Sequence, residues 1–398
     1  MMKNILIKGL VLLGILVLFL GACACGSSPN GEDVGQVLDL TGAPDEENTK
    51  APVEGDVAEG DKQVELKQEI DAEKVSQEKA QAPPAALPKE ADTKGEDKNL
   101  ALAQPEKPVL AEQVTLRVTK NFGREIIFHE TVPIKKDWTV MDLLQAHLEV
   151  ETKWDGGFVN GINGLESEKG GIRKERQDWF FYVNGVCADG GAAAYRLQSN
   201  DQVWWDYHLW NNMGSAISAL VGSYPEPFIH SYRGKGGPVT VMSSPQDQHL
   251  AEKTVKALKA QGAAKVAIGS LDVAAMENRK GPVLVLGVWD DLKEITWLAK
   301  FNEAYRKTGM GVHFTDGGVE LFTSHGELGE TVKESAGIIA ATGAGLGDEN
   351  PLWLLVGTDA QGLNEAVKIL TESPKKISGM YQAAVVSGKV LRLPLEPK

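Results

Sequence analysis

Hydrophobic and polar residues alternate in the first patterned stretch of this chain. Val114, Leu116 and Val118 are separated by polar residues, which is typical of a strand with one buried face. The polar, glycine-containing residues 121–124 then predict a turn into a second strand over 126–132. The pattern therefore begins with an antiparallel hairpin.

One helix and two aromatic strands are predicted next. Thr139, with Asp142 three residues later, marks the start of a helix, because a threonine hydroxyl caps free backbone N–H groups and an acid favours the positive helix end. Residues 179–183 and 201–208 are rich in aromatic and β-branched residues and predict strands. This order predicts an α+β, β-grasp-like domain over 113–210, with a mixed sheet around one helix.

The pattern changes again near residue 237, after a junction over 211–236 that contains several aromatic residues. From there, short apolar runs alternate with amphipathic stretches, which predicts an α/β domain over 237–398. The predicted strands are 239–242, 265–268, 283–288, 312–314, 319–322, 352–356, 382–386 and 390–393, and the predicted helices are 246–261, 290–307, 330–341 and 363–370.

The first 25 residues have the pattern of an export signal. Lys3 and Lys8 flank the start of an apolar run over 10–20, which is shorter than the ~20 residues needed to cross a bilayer. The segment resembles the signal of a bacterial lipoprotein. That resemblance implies cleavage between Ala22 and Cys23, lipidation of the Cys23 sulfur, and an extracytoplasmic, membrane-anchored protein. An ordinary cleaved signal with an incidental cysteine is the alternative.

Composition separates the next segment from the rest. Residues 26–112 contain no Phe, Trp or Tyr, and their 21 acidic and 9 basic residues account for most of the net charge of −14. Such a segment buries too little apolar surface to fold, so residues 23–112 are predicted to be a disordered acidic linker. An acidic tail that binds a partner is the alternative.

The remaining residues are nearly neutral and show no basic stripe, which argues against a nucleic-acid partner. Cys187 is their only cysteine, so no disulfide framework is expected in an exported protein of this kind.

Residues 113–209 resemble the transcobalamin-like C-terminal domain, the small β domain of the intrinsic factor and transcobalamin family. The resemblance rests on residues 179–185, on Gly191 and Tyr195, and on residues 201–207. It implies a β-grasp-like fold and cobalamin, or another corrinoid, as a ligand. In the animal carriers an α-helical barrel covers the other face of cobalamin, whereas an α/β domain is predicted to follow here.

Alternation along the aromatic strands selects the candidate site. Trp204, Asp206 and His208 share one face, and Tyr182 and Asn184 alternate in the same way on the other strand. We predict that these five residues form a ligand-binding platform, because aromatic rings with a few polar groups suit a small molecule. His208 could also ligate a corrinoid cobalt. The alternative is that both aromatic rows are structural, one in the core and one against the next domain.

No catalytic set is recognisable in the second half. Residues 343–347 lack the third glycine of a dinucleotide loop, and no nucleophile elbow is present. His313, Asp316 and His325 fit no helical zinc motif. Asp290 and Asp359, after the predicted strands 283–288 and 352–356, stand where α/β sheets bind ligands, but are expected to cap helices.

The sequence therefore predicts a non-enzymatic lipoprotein without a resident metal. Its predicted partners are a membrane, through the lipid on Cys23, and a small molecule or cell-wall component. A structural or adhesive envelope protein without a small-molecule ligand is the alternative.

Overall fold

The computed structural model describes residues 112–153, 156–171, 174–211 and 216–398. The predicted signal, Cys23 and all of the predicted linker except Glu112 lie outside these residues. The described part is a mixed α+β structure made mostly of sheets, and its residues belong to one unit. None of its helices combines the length and apolar character needed to cross a membrane.

The first half of the described chain contains nine strands and one helix. They are β1 (Gln113–Lys120), β2 (Glu125–Pro133), α1 (Val140–His147), β3 (Val150–Lys153), β4 (Phe158–Ile162), β5 (Leu165–Glu166), β6 (Glu168–Gly171), β7 (Lys174–Val183), β8 (Val186–Cys187) and β9 (Gln202–Leu209). The main sheet has the order β2-β1-β9-β7-β6, with β8 paired to β7. Strands β1 and β9 are parallel and the other pairs are antiparallel, while β3, β4 and β5 form a small second sheet.

Helix α1 begins where the sequence predicts. The Thr139 hydroxyl accepts from the Asp142 backbone N–H at 3.1 Å, and the Asp142 carboxylate accepts from the Thr139 backbone N–H at 2.8 Å. This reciprocal capping box satisfies two donors that the first turn would leave free. The helix buries Val140, Leu143 and Leu144 against the main sheet.

The second half of the described chain forms a larger sheet with helices on its faces. Its elements are β10 (Val239–Ser243), α2 (Gln248–Ala260), β11 (Val266–Ser270), α3 (Val273–Glu277), β12 (Val283–Val288), α4 (Trp289–Leu292), α5 (Thr296–Glu303), α6 (Tyr305–Thr308), β13 (Val312–Thr315), β14 (Gly318–Phe322), β15 (Leu328–Val332), β16 (Ala336–Thr342), β17 (Leu352–Gly357), α7 (Ala360–Glu372), β18 (Gln382–Val386) and β19 (Lys389–Leu393). The sheet order is β11-β10-β12-β17-β16-β18-β19. The first four strands are parallel, and the last three continue antiparallel.

Two layers cover this sheet. Helices α2 and α7 pack on one face, and the short helices α3 to α6 pack on the other with the three-stranded sheet β13-β14-β15. The central strands β12 and β17 are buried at every position except Val288, as parallel strands between two layers are expected to be.

Two predicted helices are wrong in this half. Residues 330–341 form the end of β15 and most of β16. Strand β16 is buried at every position, and a continuous apolar run does not distinguish a buried strand from a helix. Residues 290–307 contain the short helices α4, α5 and α6 and not one continuous helix.

We name the two halves the first lobe (residues 112–211) and the second lobe (residues 237–398). The segment 216–236 touches both. The Leu220 N–H donates to the Gly185 carbonyl at 2.9 Å, and the Val221 N–H donates to the Tyr381 carbonyl at 3.0 Å. The described part of the predicted junction is therefore built into both lobes.

Candidate functional site

Strand β9 sends alternate side chains to opposite faces of the first sheet. Val203, Trp205 and Tyr207 pack with α1 in the core of the first lobe. Trp204 lies on the other face, in a cluster with Tyr381 of the second lobe, and their ring centroids are 5.4 Å apart. This second face of the first sheet is the boundary between the lobes.

Asp206 organises that boundary. Its carboxylate accepts the backbone N–H groups of Phe122 and Gly123 at 2.9 Å each, and Nδ1 of His208 lies 2.9 Å from it. The hydroxyl of Thr119 also donates to it. Phe122 and Gly123 both have left-handed backbone conformations, with φ of 58° and 77°. One buried carboxylate therefore holds the β1–β2 turn in a conformation that Phe rarely adopts.

The turn inserts Phe122 into the boundary. Its ring centroid lies 4.4 Å from that of His208 and 5.4 Å from that of Tyr381, while Phe180 stacks on His208 at 4.2 Å. Nε2 of His208 is buried and has no hydrogen-bond partner among the described residues. Across all residues that the structure describes, no group of three or more His, Cys, Asp or Glu is placed to hold a metal ion.

All five predicted platform residues lie in the interior. Their exposed fractions are 2% or less. The Tyr182 hydroxyl donates to the Ile217 carbonyl at 3.2 Å, and burial raises the pKa of this tyrosine well above its ordinary value. This placement is the one expected of structural aromatic rows, and ligand binding by these residues stays a prediction. The platform residues are Tyr182, Asn184, Trp204, Asp206 and His208.

Asn184 belongs to a separate buried polar cluster. Its Nδ2 donates to Asp201 at 2.8 Å and to the Ser231 carbonyl at 2.7 Å. Burial raises the pKa of Asp201 to about 6. Nearby, Nδ1 of His230 lies 2.5 Å from the buried Glu226 carboxylate, and this hydrogen bond raises the pKa of His230.

Three partly exposed arginines from both lobes lie along the edge of the boundary. Arg117 is on β1, Arg124 is the last residue of the β1–β2 turn, and Arg392 is on β19. The Arg117 guanidinium lies 5.2 Å from the centre of the Trp204 ring. We call these three residues the arginine rim.

The second lobe contains a small, partly open apolar cavity of about 30 Å³ beneath α4 to α6. Trp289, Phe301 and Phe314 are among its lining residues. Its almost wholly apolar lining offers no set of hydrogen-bond partners to hold an ordered water molecule. We therefore attribute this cavity to packing.

The polar residues singled out in the second lobe form helix caps and ion pairs and do not converge on one site. Asp359 caps α7 by accepting from the Gly362 N–H at 2.8 Å, as predicted. Asp290 lies inside α4 and pairs with Lys293 at 2.7 Å instead of capping. His313 bonds Glu303 and Glu320, whereas His325 pairs with Glu175 of the first lobe, and Asp316 contacts Lys293.

Sequence reasoning missed Phe122, Tyr381 and the arginine rim. Phe122 offered one usable signal: a large aromatic side chain in a hairpin turn is more often buried against another part of the protein than left exposed to solvent. Arg117 and Arg124 lie in one hairpin, but Arg392 is distant in sequence, and nothing in the sequence pattern linked it to them. Only the packing of the lobes brings Arg392 to the other two arginines.

Comparisons with known proteins add a partial family match. Residues 137–209 match the model of a family described as a domain of unknown function (DUF4430). A comparison with curated proteins returns no significant match. Among solved structures, the chain is similar to a "putative metal binding protein" from Ruminococcus gnavus, at 13% identity and a TM-score of 0.20. That similarity covers 25% of this chain and 99% of the other, and at this score it supports neither a fold nor a ligand.

Proposed function

We propose that this chain is a non-enzymatic binding protein of the bacterial cell envelope, and that its ligand contacts the arginine rim. The observation that carries the proposal is the convergence of Arg117, Arg124 and Arg392 from both lobes at a partly exposed edge. The Cys187 thiol supports a non-catalytic role, because burial raises its pKa to about 12 and keeps it protonated.

The lipid anchor, the linker and the corrinoid ligand in this proposal are inferred from the sequence. Lipid on Cys23 would anchor the protein outside the cytoplasm, and residues 23–112 would hold the lobes away from the membrane. The order β2-β1-β9-β7, with a parallel central pair and one helix on the sheet, supports a β-grasp-like first lobe. Cobalamin or another corrinoid remains the small molecule that the transcobalamin resemblance implies.

A structural or adhesive envelope protein is the second candidate. The burial of Trp204, Asp206 and His208 favours it, since these side chains join the lobes. In that case no small molecule binds, and the aromatic rows serve only to hold the two lobes together.

Co-sedimentation tests the binding function. The full chain without its signal, carrying Cys23→Ser so that no lipid can attach, is mixed with purified envelopes of the producing bacterium. We expect saturable binding that added protein competes away. Linear, non-saturating sedimentation would contradict a binding function. Tryptophan fluorescence titration with cobalamin and cobinamide then separates the candidates, because saturable quenching at micromolar ligand, after correction for light absorbed by the corrinoid, indicates a corrinoid site.

A further inference from the structure

The Arg392 guanidinium lies close enough to those of Arg124 and Arg117 to be repelled by both. Arg117 and Arg392 both contact Gly379, where Arg392 donates to the carbonyl oxygen and any added side chain would collide with Arg117. Burial is the main reason why the pKa of Arg392 is lowered. Repulsion from Arg124 and Arg117 lowers it further, whereas attraction to Asp206 raises it. Keeping like charges together in a half-buried place is unfavourable without an anion.

The described residues supply little negative charge to the arginine rim. Within them, the one ion pair of the three arginines joins Arg124 to Glu396 at 3.6 Å, and the Glu396 side chain is 72% exposed. Asp206 attracts Arg392, but its hydrogen bonds among the described residues are with two backbone N–H groups, Thr119 and His208, and none is with an arginine.

The other contacts of these arginines are with neutral groups. Arg117 donates to the Ser378 hydroxyl at 3.1 Å, and Arg124 donates to the Pro394 carbonyl at 2.6 Å. Arg117 also lies 3.3 Å from the His129 ring. These bonds orient the guanidinium groups and clamp the lobes, but carbonyl and hydroxyl oxygens do not neutralise a charge. Most of the five donors of each guanidinium have no hydrogen-bond partner among the described residues.

We infer that the arginine rim binds a phosphate group, carried by a free phosphate compound or by an anionic lipid headgroup. The two oxygens of a carboxylate are matched by the paired N–H donors of one guanidinium. A phosphate has enough oxygens to accept hydrogen bonds from several guanidinium groups at once. The inference rests on the proposed binding function and names the chemistry of its ligand.

Calorimetric titration of the full chain, without its signal and with Cys23→Ser, tests the inference. Inorganic phosphate is the first probe, with chloride at equal ionic strength as the blank. We expect Arg117→Gln and Arg392→Gln each to weaken phosphate binding about tenfold, the size of one charge-assisted hydrogen bond. Lys259→Gln, which removes an exposed charge from α2, is the matched control and should bind as the unaltered chain does.

Two further measurements keep the result interpretable. Arg392→Lys retains the positive charge but loses the paired N–H donors of the guanidinium, so it should bind phosphate with intermediate affinity. Thermal unfolding of every variant checks that the fold is intact. Vesicles of phosphatidylglycerol, compared with phosphatidylcholine, distinguish a lipid headgroup from free phosphate. Equal phosphate affinity in the arginine and Lys259 variants, or no binding to either phosphate source, would overturn the inference.

The two proposals fail separately. A chain that binds envelopes saturably but ignores phosphate keeps the binding function and loses the phosphate inference. A chain that binds phosphate at the arginine rim but not envelopes keeps the phosphate site and loses the proposed partner.

Discussion

Phe122 and Asp206 separate what alternation along a strand can predict from what it cannot. The pleat of β9 correctly places Asp206 on the face opposite Trp205, because alternation alone determines that. The burial of Phe122 depends on the surface that the turn meets, and Tyr381 lies far along the chain. The burial of this turn residue could therefore be seen only in the structure of both lobes.

Asp201 predicts a pH dependence of stability. Its ordinary pKa is 3.8 and burial raises it to about 6 in the folded chain, so between these values the folded state holds a proton that the unfolded state releases. Stability should therefore fall as pH rises from about 4 to 6, by about 1–3 kcal/mol. Unfolding in denaturant at several pH values measures this loss.

The Asp201→Asn variant isolates that contribution, because an amide does not titrate. We expect its stability to change less over the same pH interval. His230 contributes in the same direction above its ordinary pKa, since its raised pKa stabilises the folded state only while the ring is protonated. Parallel pH profiles for the variant and the unaltered chain would show that Asp201 is not responsible.

Among whole elements, those with local end signals were predicted best. Helix α1 has a cap, and β18 and β19 flank a Ser387-Gly388 turn, so each was predicted near its observed bounds. Strand β16 has no such signal, and its apolar run suits a helix as well as a strand. Pairing with β17 and β18 decides its conformation, and pairing partners cannot be read from the run itself.

Thr139→Ala tests the capping of α1. The substitution removes the hydroxyl that accepts from the Asp142 N–H, so we expect the free energy of unfolding to fall by about 1 kcal/mol. Thr139→Ser keeps a hydroxyl at the cap and should stay close to the unaltered stability. Chemical denaturation measures both variants, and equal losses in Ala and Ser would contradict a capping role.

For the whole molecule, composition and element order predicted two sheet-containing halves, but they did not determine whether the halves pack against each other. The first sheet shows aromatic residues on both faces, and the sequence left open whether the second face binds a ligand or a neighbouring lobe. In the structure Tyr381, Phe122 and the segment 216–236 occupy that face. The arginine rim exists only because of this docking.

Scanning calorimetry of the chain without its signal, with and without Phe122→Ala, tests the union of the lobes most directly. We predict a single unfolding transition. Phe122→Ala should lower the free energy of unfolding by about 3–5 kcal/mol and shift the whole transition to lower temperature. Two separate transitions, or a shift confined to one of them, would show that the lobes fold independently and would contradict the account.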